Sequence, residues 1–298
     1  MLILLEEAMY APTQRNIDMP TISTPHSMRH RTASGTYPQF VQRNQPSLLN
    51  LTPLRPHSQK KMTSQIPTTT PYAWPHNYSL APSTTALLII DMQRDFLSPG
   101  GYLSSQGYSL ARFEPLIPRI ASLLSTFRGA CFPVIHTREG HDASLATVSS
   151  REAHRSRVNG AEIGSQGPLG RLLIRSEEGH EIVEGLQPME GELVIDKPGR
   201  GAFTHTELDL ALRAKGVKNL VVCGVTADAC VSSTVREASD RGYDVLVVED
   251  GVESVSEELK RWSLESIKVE GGLFGVTGSC KEVEQAVGSW IQDEGGAT

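Results

Sequence analysis

Cysteine is scarce in this sequence, with four residues in a chain of 298. Neither the density of a disulfide-stabilised domain nor the C-x-x-C spacing typical of structural zinc and redox sites is present. The cysteine content therefore excludes a disulfide framework and favours a reducing compartment. Any cysteine with a special role, among Cys131, Cys223, Cys230 and Cys280, is expected to act as a thiol.

Long hydrophobic runs are also missing, since no segment approaches the roughly 18 apolar residues that a membrane span requires. The apolar run 1–5 is too short for the core of a signal peptide and continues directly into Glu6 and Glu7. We therefore expect a soluble, cytoplasmic protein with no membrane partner. A mitochondrial transit peptide is the minor alternative, because Arg and Ser are frequent and acidic residues scarce after Arg15.

Positive charge is in short supply after residue 70. The segment 1–70 has seven basic and three acidic residues, so the rest of the chain carries a formal charge of −10 against −6 for the whole. Nucleic-acid binding relies on clustered Lys and Arg that contact phosphates. The acidic body excludes nucleic acid as the main partner.

Residues 1–70 also lack a persistent helical or strand period. They are rich in Pro, Ser, Thr, Gln and Asn, a composition that buries too little apolar surface to offset the entropy of ordering the chain. We predict a disordered N-terminal extension over 1–70 and a folded domain over 71–298.

What the folded part does have is an alternation of short apolar runs with longer segments of helical period. This pattern predicts an α/β domain with a doubly wound (Rossmann-like), mostly parallel sheet of about six strands and helices on both faces. The predicted strands are 86–91, 131–137, 193–196, 220–224, 245–249 and 273–276, and the predicted helices are 112–128, 206–215, 229–241, 254–269 and 281–291. The long segment 140–185 is expected to form an excursion above the sheet.

Three residues able to take part in catalysis follow predicted strands. Asp91 closes the first strand, Lys197 follows the third, and Cys230 begins the helix after the fourth, where free N–H groups and the helix dipole favour a thiolate. Each has an ordinary alternative: a turn aspartate, a solvated lysine or an inert buried cysteine. Because ligands bind at the carboxyl ends of parallel strands, the three together point to one crevice and to nucleophilic catalysis by cysteine.

The sequence resembles the isochorismatase-like cysteine hydrolases in the order and spacing of three motifs. These are Ile90-Asp91-Met92-Gln93, Asp196-Lys197-Pro198-Gly199 and Gly224-Val225-Thr226-Ala227-Asp228-Ala229-Cys230-Val231. Within that group it is most similar to biuret amidohydrolases, through Pro71-Tyr72-Ala73-Trp74-Pro75, Ser98-Pro99-Gly100-Gly101-Tyr102, His136-Thr137-Arg138-Glu139-Gly140-His141, Arg236-Glu237-Ala238-Ser239-Asp240-Arg241-Gly242 and Gly271-Gly272-Leu273-Phe274-Gly275. The resemblance spans nearly everything after Pro71.

The resemblance implies a catalytic triad of Asp91, Lys197 and Cys230 and a cis peptide between Val225 and Thr226. Asp91 would accept the thiol proton, and Lys197 would keep Asp91 ionised. The backbone N–H groups of Thr226 and Cys230 would form the oxyanion hole. The implied reaction removes ammonia from a terminal amide or ureido group through an acyl- or carbamoyl-enzyme, with no cofactor.

Candidate substrate-binding residues are Phe96, Arg200, Phe203 and Glu270. Glu270 stands where the biuret-cleaving relatives have glutamine, and Arg200 where they usually have lysine. An ionised glutamate can only accept hydrogen bonds, which argues against a carbonyl facing it, unless Arg200 pairs with it. The other reading is that both are solvated loop residues.

No metal is expected. The nicotinamidases, which are relatives, bind a metal through Asp-x-His and a further histidine, and that arrangement is absent near His136 and His141. The two histidines are instead expected to be loop and pocket-rim residues.

Three further expectations complete the functional prediction. The small-molecule substrate is an amide or ureido compound, either biuret-like or a ureido acid such as ureidoacrylate or an N-carbamoyl amino acid. A non-catalytic binding protein on the same scaffold is the alternative from another class. By resemblance, the protein is expected to be a homo-oligomer, a dimer or tetramer, with 140–185 as a candidate interface.

Overall fold

The computed structural model describes residues 65–294, and the side chains within 65–290. In chain order the strands are β1 (Thr85–Ile90), β2 (Val134–Glu139), β3 (Gln166–Gly167), β4 (Gly170–Arg171), β5 (Leu193–Lys197), β6 (Asn219–Val225), β7 (Asp244–Glu253) and β8 (Val276–Gly278). The helices are α1 (Arg94–Leu97), α2 (Tyr102–Ser105), α3 (Leu116–Gly129), α4 (Ser150–Val158), α5 (Leu208–Ala214), α6 (Ser232–Asp240), α7 (Glu257–Gly272) and α8 (Cys280–Glu294). A π-helical turn, Ala227–Val231, precedes α6.

Six strands form one sheet in the order β5-β2-β1-β6-β7-β8, and every pair in it is parallel. The predicted doubly wound α/β fold is confirmed. All six strands therefore end at the same side of the sheet, which we call the carboxyl edge, and begin at the opposite side, the amino edge. β3 and β4 form a separate hairpin within the excursion between β2 and β5.

Alternation along the central strand β1 builds two apolar layers. Leu87 and Ile89 point into one layer, which includes Ile120 of α3 and Val283 of α8. Leu88 and Ile90 point into the other, with residues of α5, α6 and α7. Each buried Leu or Ile contributes about 1.5–3 kcal/mol relative to exposure, so a strand buried on both faces is firmly held at the sheet centre.

The predicted domain boundary at residue 71 is corrected. Ile66 is buried and exchanges two backbone hydrogen bonds with Trp74, and Thr70 exchanges two with Thr277 beside β8. The domain therefore includes at least Gln65 to Thr70. The remainder of the predicted extension, residues 1–64, lies outside the described residues, so its disorder stays a prediction.

Several predicted boundaries move by a few residues. β2 runs to Glu139, two residues beyond its predicted end, because it continues pairing with β5 as far as Lys197. α7 begins at Glu257, where the Ser256 side chain accepts the Leu259 N–H, and loses helical geometry at Val269. Within residues 65–294 no helix has the length and apolar character needed to cross a membrane.

Candidate active site

The carboxyl edge gathers polar side chains from neighbouring strands. Asp91 follows β1, Glu139 ends β2, Lys197 ends β5, and Cys230 lies in the π turn after β6. Since β5, β2, β1 and β6 are adjacent in the sheet, their ends converge. Asp91, Glu139 and Cys230 each place a side-chain oxygen or sulfur within 4.8 Å of the others, and Lys197 contacts both carboxylates. The structure thus brings together the three residues predicted from the sequence.

Asp91 is fully buried. The Thr137 hydroxyl donates to Asp91 Oδ1 at 2.6 Å, and Lys197 Nζ lies 2.7 Å from Asp91 Oδ2. Burial raises the pKa of Asp91, while attraction to Lys197 acts in the opposite direction. The implied role of Lys197, to keep Asp91 ionised, is therefore opposed by the desolvation of the carboxyl group.

Lys197 is also fully buried, an unusual position for an ammonium group. Its Nζ donates to the Gly199 carbonyl at 2.7 Å and lies 3.4 Å from Glu139 Oε2. Burial alone would lower the pKa of Lys197, but attraction to Asp91, Cys230 and Glu139 outweighs it and raises the pKa. Lys197 is the buried positive charge of the site.

Cys230 does not begin a regular α-helix. It is the fourth residue of the π turn, and the peptide between Val225 and Thr226, just before this turn, is cis. The Cys230 thiol donates a hydrogen bond to Glu139 Oε2 at 3.2 Å. Burial raises the pKa of the Cys230 thiol above its ordinary value. The resting cysteine is therefore a neutral thiol, in contrast to the thiolate expected from a helix start, and it needs a base when it attacks.

Glu139 is the residue that the sequence-based selection of site residues missed. Its backbone is fixed by Gln93, whose Oε1 accepts the Glu139 N–H at 2.6 Å and whose Nε2 donates to the Glu139 carbonyl at 3.0 Å. Burial opposes ionisation of Glu139, but Lys197, Arg200 and the Cys230 thiol lower its pKa. The available signal was its place in a motif shared with the biuret amidohydrolases, but the predicted strand stopped at 137.

Arg200 lies beside this cluster but does not pair with Glu270. Its guanidinium binds Glu152 of α4 through two nitrogens, Nη1 to Oε2 at 2.5 Å and Nη2 to Oε1 at 3.0 Å. Arg155 binds the same carboxylate and donates to the Tyr102 hydroxyl at 3.0 Å. Burial works against these contacts, yet the two arginines lower the pKa of Glu152 to about 2. The excursion thus supplies the partner of Arg200.

The four substrate-binding candidates divide between the two edges. Phe96 belongs to the carboxyl edge, since α1 follows β1 directly and its ring packs 6.3 Å from that of Tyr102. The Phe203 ring instead packs against Tyr243, which directly precedes β7, and under the Arg241 guanidinium. Phe203 is a core residue with its side chain directed away from the cluster, so its predicted contact with substrate is not supported by the geometry.

Glu270 lies at the amino edge. It is exposed, has φ of 52°, and precedes Gly272, which packs closely against the Tyr72 ring. The hydroxyl of Tyr72 donates to Asp244 at the first residue of β7. Because a helix that leaves the carboxyl edge returns to the amino edge before the next parallel strand, the α7–β8 connection cannot reach Cys230 of the same chain. The predicted specificity role of Glu270 therefore has no support from the geometry of the single chain, and it stays a prediction.

A cavity of about 700 Å³ adjoins the cluster. It is lined by Arg200 and by Pro198 and Gly199, which directly follow Lys197, and by Ser233, one helical turn after Cys230. Arg175 of the excursion also lines it, with its Nε donating to the Gly140 carbonyl at 3.0 Å. The cavity therefore carries two guanidinium groups and borders the nucleophile's helix, although Cys230 itself does not line it.

Among the described residues, Asp91, Glu139 and Cys230 form the one group whose donor atoms lie close enough to hold a metal ion. The Lys197 ammonium already contacts both carboxylates and supplies the positive charge that a metal would bring. His136 is not a loop residue as predicted: it is a buried residue of β2 whose Nε2 lies 3.1 Å from Glu192 Oε2. His141 lies 2.9 Å from the Thr147 hydroxyl through Nδ1. The metal-free site stays a prediction.

Comparison with known proteins places this geometry in a family. The isochorismatase domain model matches residues 85–279. A ureidoacrylate amidohydrolase of Methylobacterium radiotolerans is 32% identical over 222 residues, which cover 72% of this chain and 84% of the relative. A second ureidoacrylate amidohydrolase, from Serratia proteamaculans, is 32% identical over 70% of this chain and 81% of its own.

Two solved structures share the fold. The cysteine hydrolase of Pseudomonas syringae pv. phaseolicola 1448A has a TM-score of 0.61 and 25% identity, covering 71% of this chain and 95% of that one. N-carbamoylsarcosine amidase of Thermoplasma acidophilum shares the fold, with a TM-score of 0.51 at 23% identity over 66% of this chain and 96% of that one. With 195 of its 298 residues matched by the domain model, this chain belongs to the isochorismatase domain family.

Proposed function

We propose that this protein is a cysteine-dependent amidohydrolase that cleaves a terminal C–N bond of a small, biuret-like amide or ureido compound and releases ammonia. The observation that carries the proposal is the buried Cys230 thiol, held against a carboxylate within a cluster that also contains Lys197 and Asp91. Nucleophile, acid–base groups and a fixed positive charge are the components that acyl transfer by cysteine requires.

The chemistry follows from the positions of these groups. Cys230 attacks the carbonyl carbon while a buried carboxylate takes its proton. The N–H groups of Thr226 and Cys230 are the proposed oxyanion donors, a contribution typically worth about 3–4 kcal/mol per donor. Asp91 is the proposed group that protonates the departing nitrogen and later activates the water that hydrolyses the acyl-enzyme. Each of these steps uses groups of the protein, and none calls for a cofactor.

A panel of biuret, ureidoacrylate, N-carbamoyl amino acids and simple amides, with ammonia release as the readout, tests the proposal. The wild type should release ammonia from at least one compound, and Cys230→Ala from none. Identical behaviour of wild type and Cys230→Ala across the panel would instead favour a non-catalytic binding protein on the same scaffold.

A ureido acid is the second candidate substrate class, and two observations favour it. Two relatives that are each 32% identical to this chain are named ureidoacrylate amidohydrolases. In addition, Arg175 and Arg200 line the cavity beside the helix of Cys230. A guanidinium group is the side chain best suited to bind a carboxylate. Arg175 is the better candidate for binding a substrate carboxylate, because the guanidinium of Arg200 already forms an ion pair with Glu152.

The two substrate classes are separated by one variant. If the substrate carries a carboxylate, Arg175→Gln should lower kcat/KM for the anionic ureido acid by about tenfold or more, mainly through KM, while turnover of neutral biuret changes little. An equal change for both compounds would remove Arg175 as a carboxylate contact. The ratio of the two kcat/KM values is the measurement.

We further propose a cytoplasmic homo-oligomer. The support is the scarcity of cysteine and the resemblance to oligomeric relatives. Light scattering coupled to size exclusion measures the oligomeric state.

A further inference from the structure

The starting observation is an imbalance of buried charge. Asp91 and Lys197 are fully buried, and Glu139 has 4% of its surface exposed. One ammonium and two ionised carboxylates would leave a net negative charge in a site with almost no contact with water, which is strongly unfavourable. Arg200, which also attracts Glu139, lies outside this buried group and is bound to Glu152, so Asp91, Glu139 and Lys197 together are neutral when one of the two carboxyl groups holds a proton.

The surroundings decide which carboxyl group that is. Glu139 lies near two cations, Lys197 and Arg200, and accepts a hydrogen bond from the Cys230 thiol. Each of these interactions favours the ionised form of Glu139. For Asp91, Lys197 is the cation that offsets the cost of burial. Thr137 donates to Asp91 Oδ1 at 2.6 Å, so a proton on Asp91 is placed on Oδ2, the buried oxygen that lies 2.7 Å from Lys197 Nζ and has no hydrogen-bond partner among the described residues. The geometry therefore accommodates a protonated Asp91 and an ionised Glu139.

From this geometry we infer that Glu139 is a further catalytic residue: it takes the proton of the Cys230 thiol, and Asp91 is the acid that protonates the leaving nitrogen. The inference rests on the proposed function, because it assumes that Cys230 is the nucleophile. It reassigns the first proton transfer, which the family resemblance gives to Asp91, to Glu139, whose Oε2 accepts the thiol hydrogen bond at 3.2 Å; Asp91 also lies within 4.8 Å of the sulfur and raises the pKa of the thiol.

The proton transfers balance over one cycle. The S–H proton moves to Glu139 Oε2 as the sulfur–carbon bond forms, and Asp91 gives its proton to nitrogen as the carbon–nitrogen bond breaks and ammonia leaves. Water then adds to the thioester and gives a proton to Asp91. The sulfur departs and takes its proton back from Glu139, so that both carboxyl groups return to their starting states with water as the only co-reactant.

Two carboxyl groups with opposite protonation states suit these two tasks. Burial raises the pKa of Asp91, as an acid requires, whereas Lys197 and Arg200 lower that of Glu139, as a base requires. Further charged groups around Glu139 are His141, which follows it in the chain, and Asp95 of α1.

The leaving group provides the test. Hydrolysis of p-nitrophenyl acetate needs the thiol deprotonated but does not need its leaving group protonated. Glu139→Gln should therefore slow the burst of p-nitrophenolate by about 10²–10⁴-fold, and Asp91→Asn should lower amide cleavage by at least about tenfold more than it lowers that burst. Retention of the burst in Glu139→Gln would overturn the inference, as would an equal loss of ester and amide turnover in Asp91→Asn.

A second readout separates catalysis from a structural role. The Glu139 carboxylate raises the pKa of Cys230, so Glu139→Gln should move the pH midpoint for iodoacetamide alkylation of Cys230 downward even as ester turnover falls. Because loss of structure would also expose the thiol and lower its pKa, the shift is interpreted only in a variant whose circular dichroism and urea unfolding match those of the wild type. If Glu139→Gln does not fold, Glu139→Asp is the second variant, because it keeps the negative charge but places the carboxylate farther from the sulfur. The folded Glu139→Asp protein should show a smaller ester burst than the wild type. An unchanged burst would refute the assignment.

The controls distinguish failure of this inference from failure of the proposed function. If Cys230→Ala gives the same ester burst as the wild type, Cys230 is not the nucleophile and the proposed function itself fails. If Cys230→Ala abolishes the burst while Glu139→Gln leaves it intact, the proposed function stands and the role of Glu139 is refuted.

Discussion

The two edges of the sheet carry similar residues in different surroundings. At the amino edge Asp244 accepts hydrogen bonds from the Tyr72 hydroxyl and the His76 backbone N–H, and the His76 side chain is largely exposed. At the carboxyl edge Asp91 and Lys197 are both fully buried. Exposed pairs contribute little and are screened by solvent, whereas buried groups have strongly shifted pKa values. Asp244 is itself buried, so the two edges differ in that both charged partners are buried at the carboxyl edge and only one at the amino edge.

The largest effect is expected from the nucleophile itself. Cys230→Ala should lower ammonia release by more than about 10³-fold, because no other group can form the acyl-enzyme. Cys223→Ala is the matched control, since Cys223 is a fully buried residue of β6; it should keep its activity and lose only a small amount of stability. Steady-state kinetics and urea unfolding of both variants make the comparison, which fails if the two lose activity equally.

Lys197→Met tests the buried charge at the carboxyl edge. Removal of one partner from a buried ion pair typically costs about 3–5 kcal/mol. Without the ammonium, the folded-state pKa values of Asp91 and Glu139 should rise. A group whose pKa is higher in the folded state than in the unfolded state stabilises the fold at pH values below its unfolded-state pKa. That contribution is lost as the pH rises through the folded-state pKa. The deficit in unfolding free energy should therefore be larger at pH 8 than at pH 5, and an equal deficit would contradict the assignment.

Glu152 and Glu192 compare the two edges directly, since the pKa of each is lowered to about 2. Burial opposes both shifts, which come mainly from Arg200 and Arg155 for Glu152 and from Arg128 for Glu192. A carboxyl group whose folded-state pKa is lowered stabilises the fold at pH values above its ordinary pKa of 4.5. This contribution to the free energy of unfolding is lost as the pH falls toward 2. Both Gln variants should therefore lose stability at pH 7 and approach the wild type near pH 2.

The activities of these two variants should differ. Glu152→Gln removes the carboxylate that binds the Arg200 guanidinium through two hydrogen bonds. Because Arg200 lies beside the nucleophile, kcat/KM should fall by about tenfold. Glu192 lies just before β5 at the amino edge and contacts Arg128 and His136, so Glu192→Gln should stay within about twofold of the wild type. Equal kinetic effects would show that the two edges are not functionally distinct.

The smallest effect is expected at Glu270. Because it lies at the amino edge, Glu270→Gln should change kcat/KM for biuret by less than about twofold and stability by less than about 0.5 kcal/mol. A large and selective change in biuret turnover would mean that this loop reaches an active site by a route that the single chain does not show, such as assembly with a second copy.

The fold was largely predictable because its signals are local. The apolar runs of β1 and β6 and the glycines that end helices identify the strands and helices, and parallel strands impose the common carboxyl edge. The lesser errors have local causes too. The end of β2 was placed at 137 because Arg138 and Glu139 are charged, although pairing with β5 continues through both.

The site was predictable in part. Asp91, Lys197 and Cys230 stand at strand ends within recognisable motifs, and the structure brings them together. Phe203 and Glu270 were assigned to the substrate by likeness to relatives, yet Phe203 packs on Tyr243 and Glu270 lies at the far edge. Sequence position alone does not show the direction in which a side chain points.

The sequence by itself determined the parallel sheet, the edge where the chemistry lies and three of its residues, because hydrophobic period and strand order are properties of the chain. Only the tertiary structure decided the protonation states, since these depend on burial and on charges that are distant in sequence. Glu139 and Cys230 are 91 residues apart, and burial together with the nearby carboxylates raises the pKa of a thiol for which a helix start alone favours the thiolate.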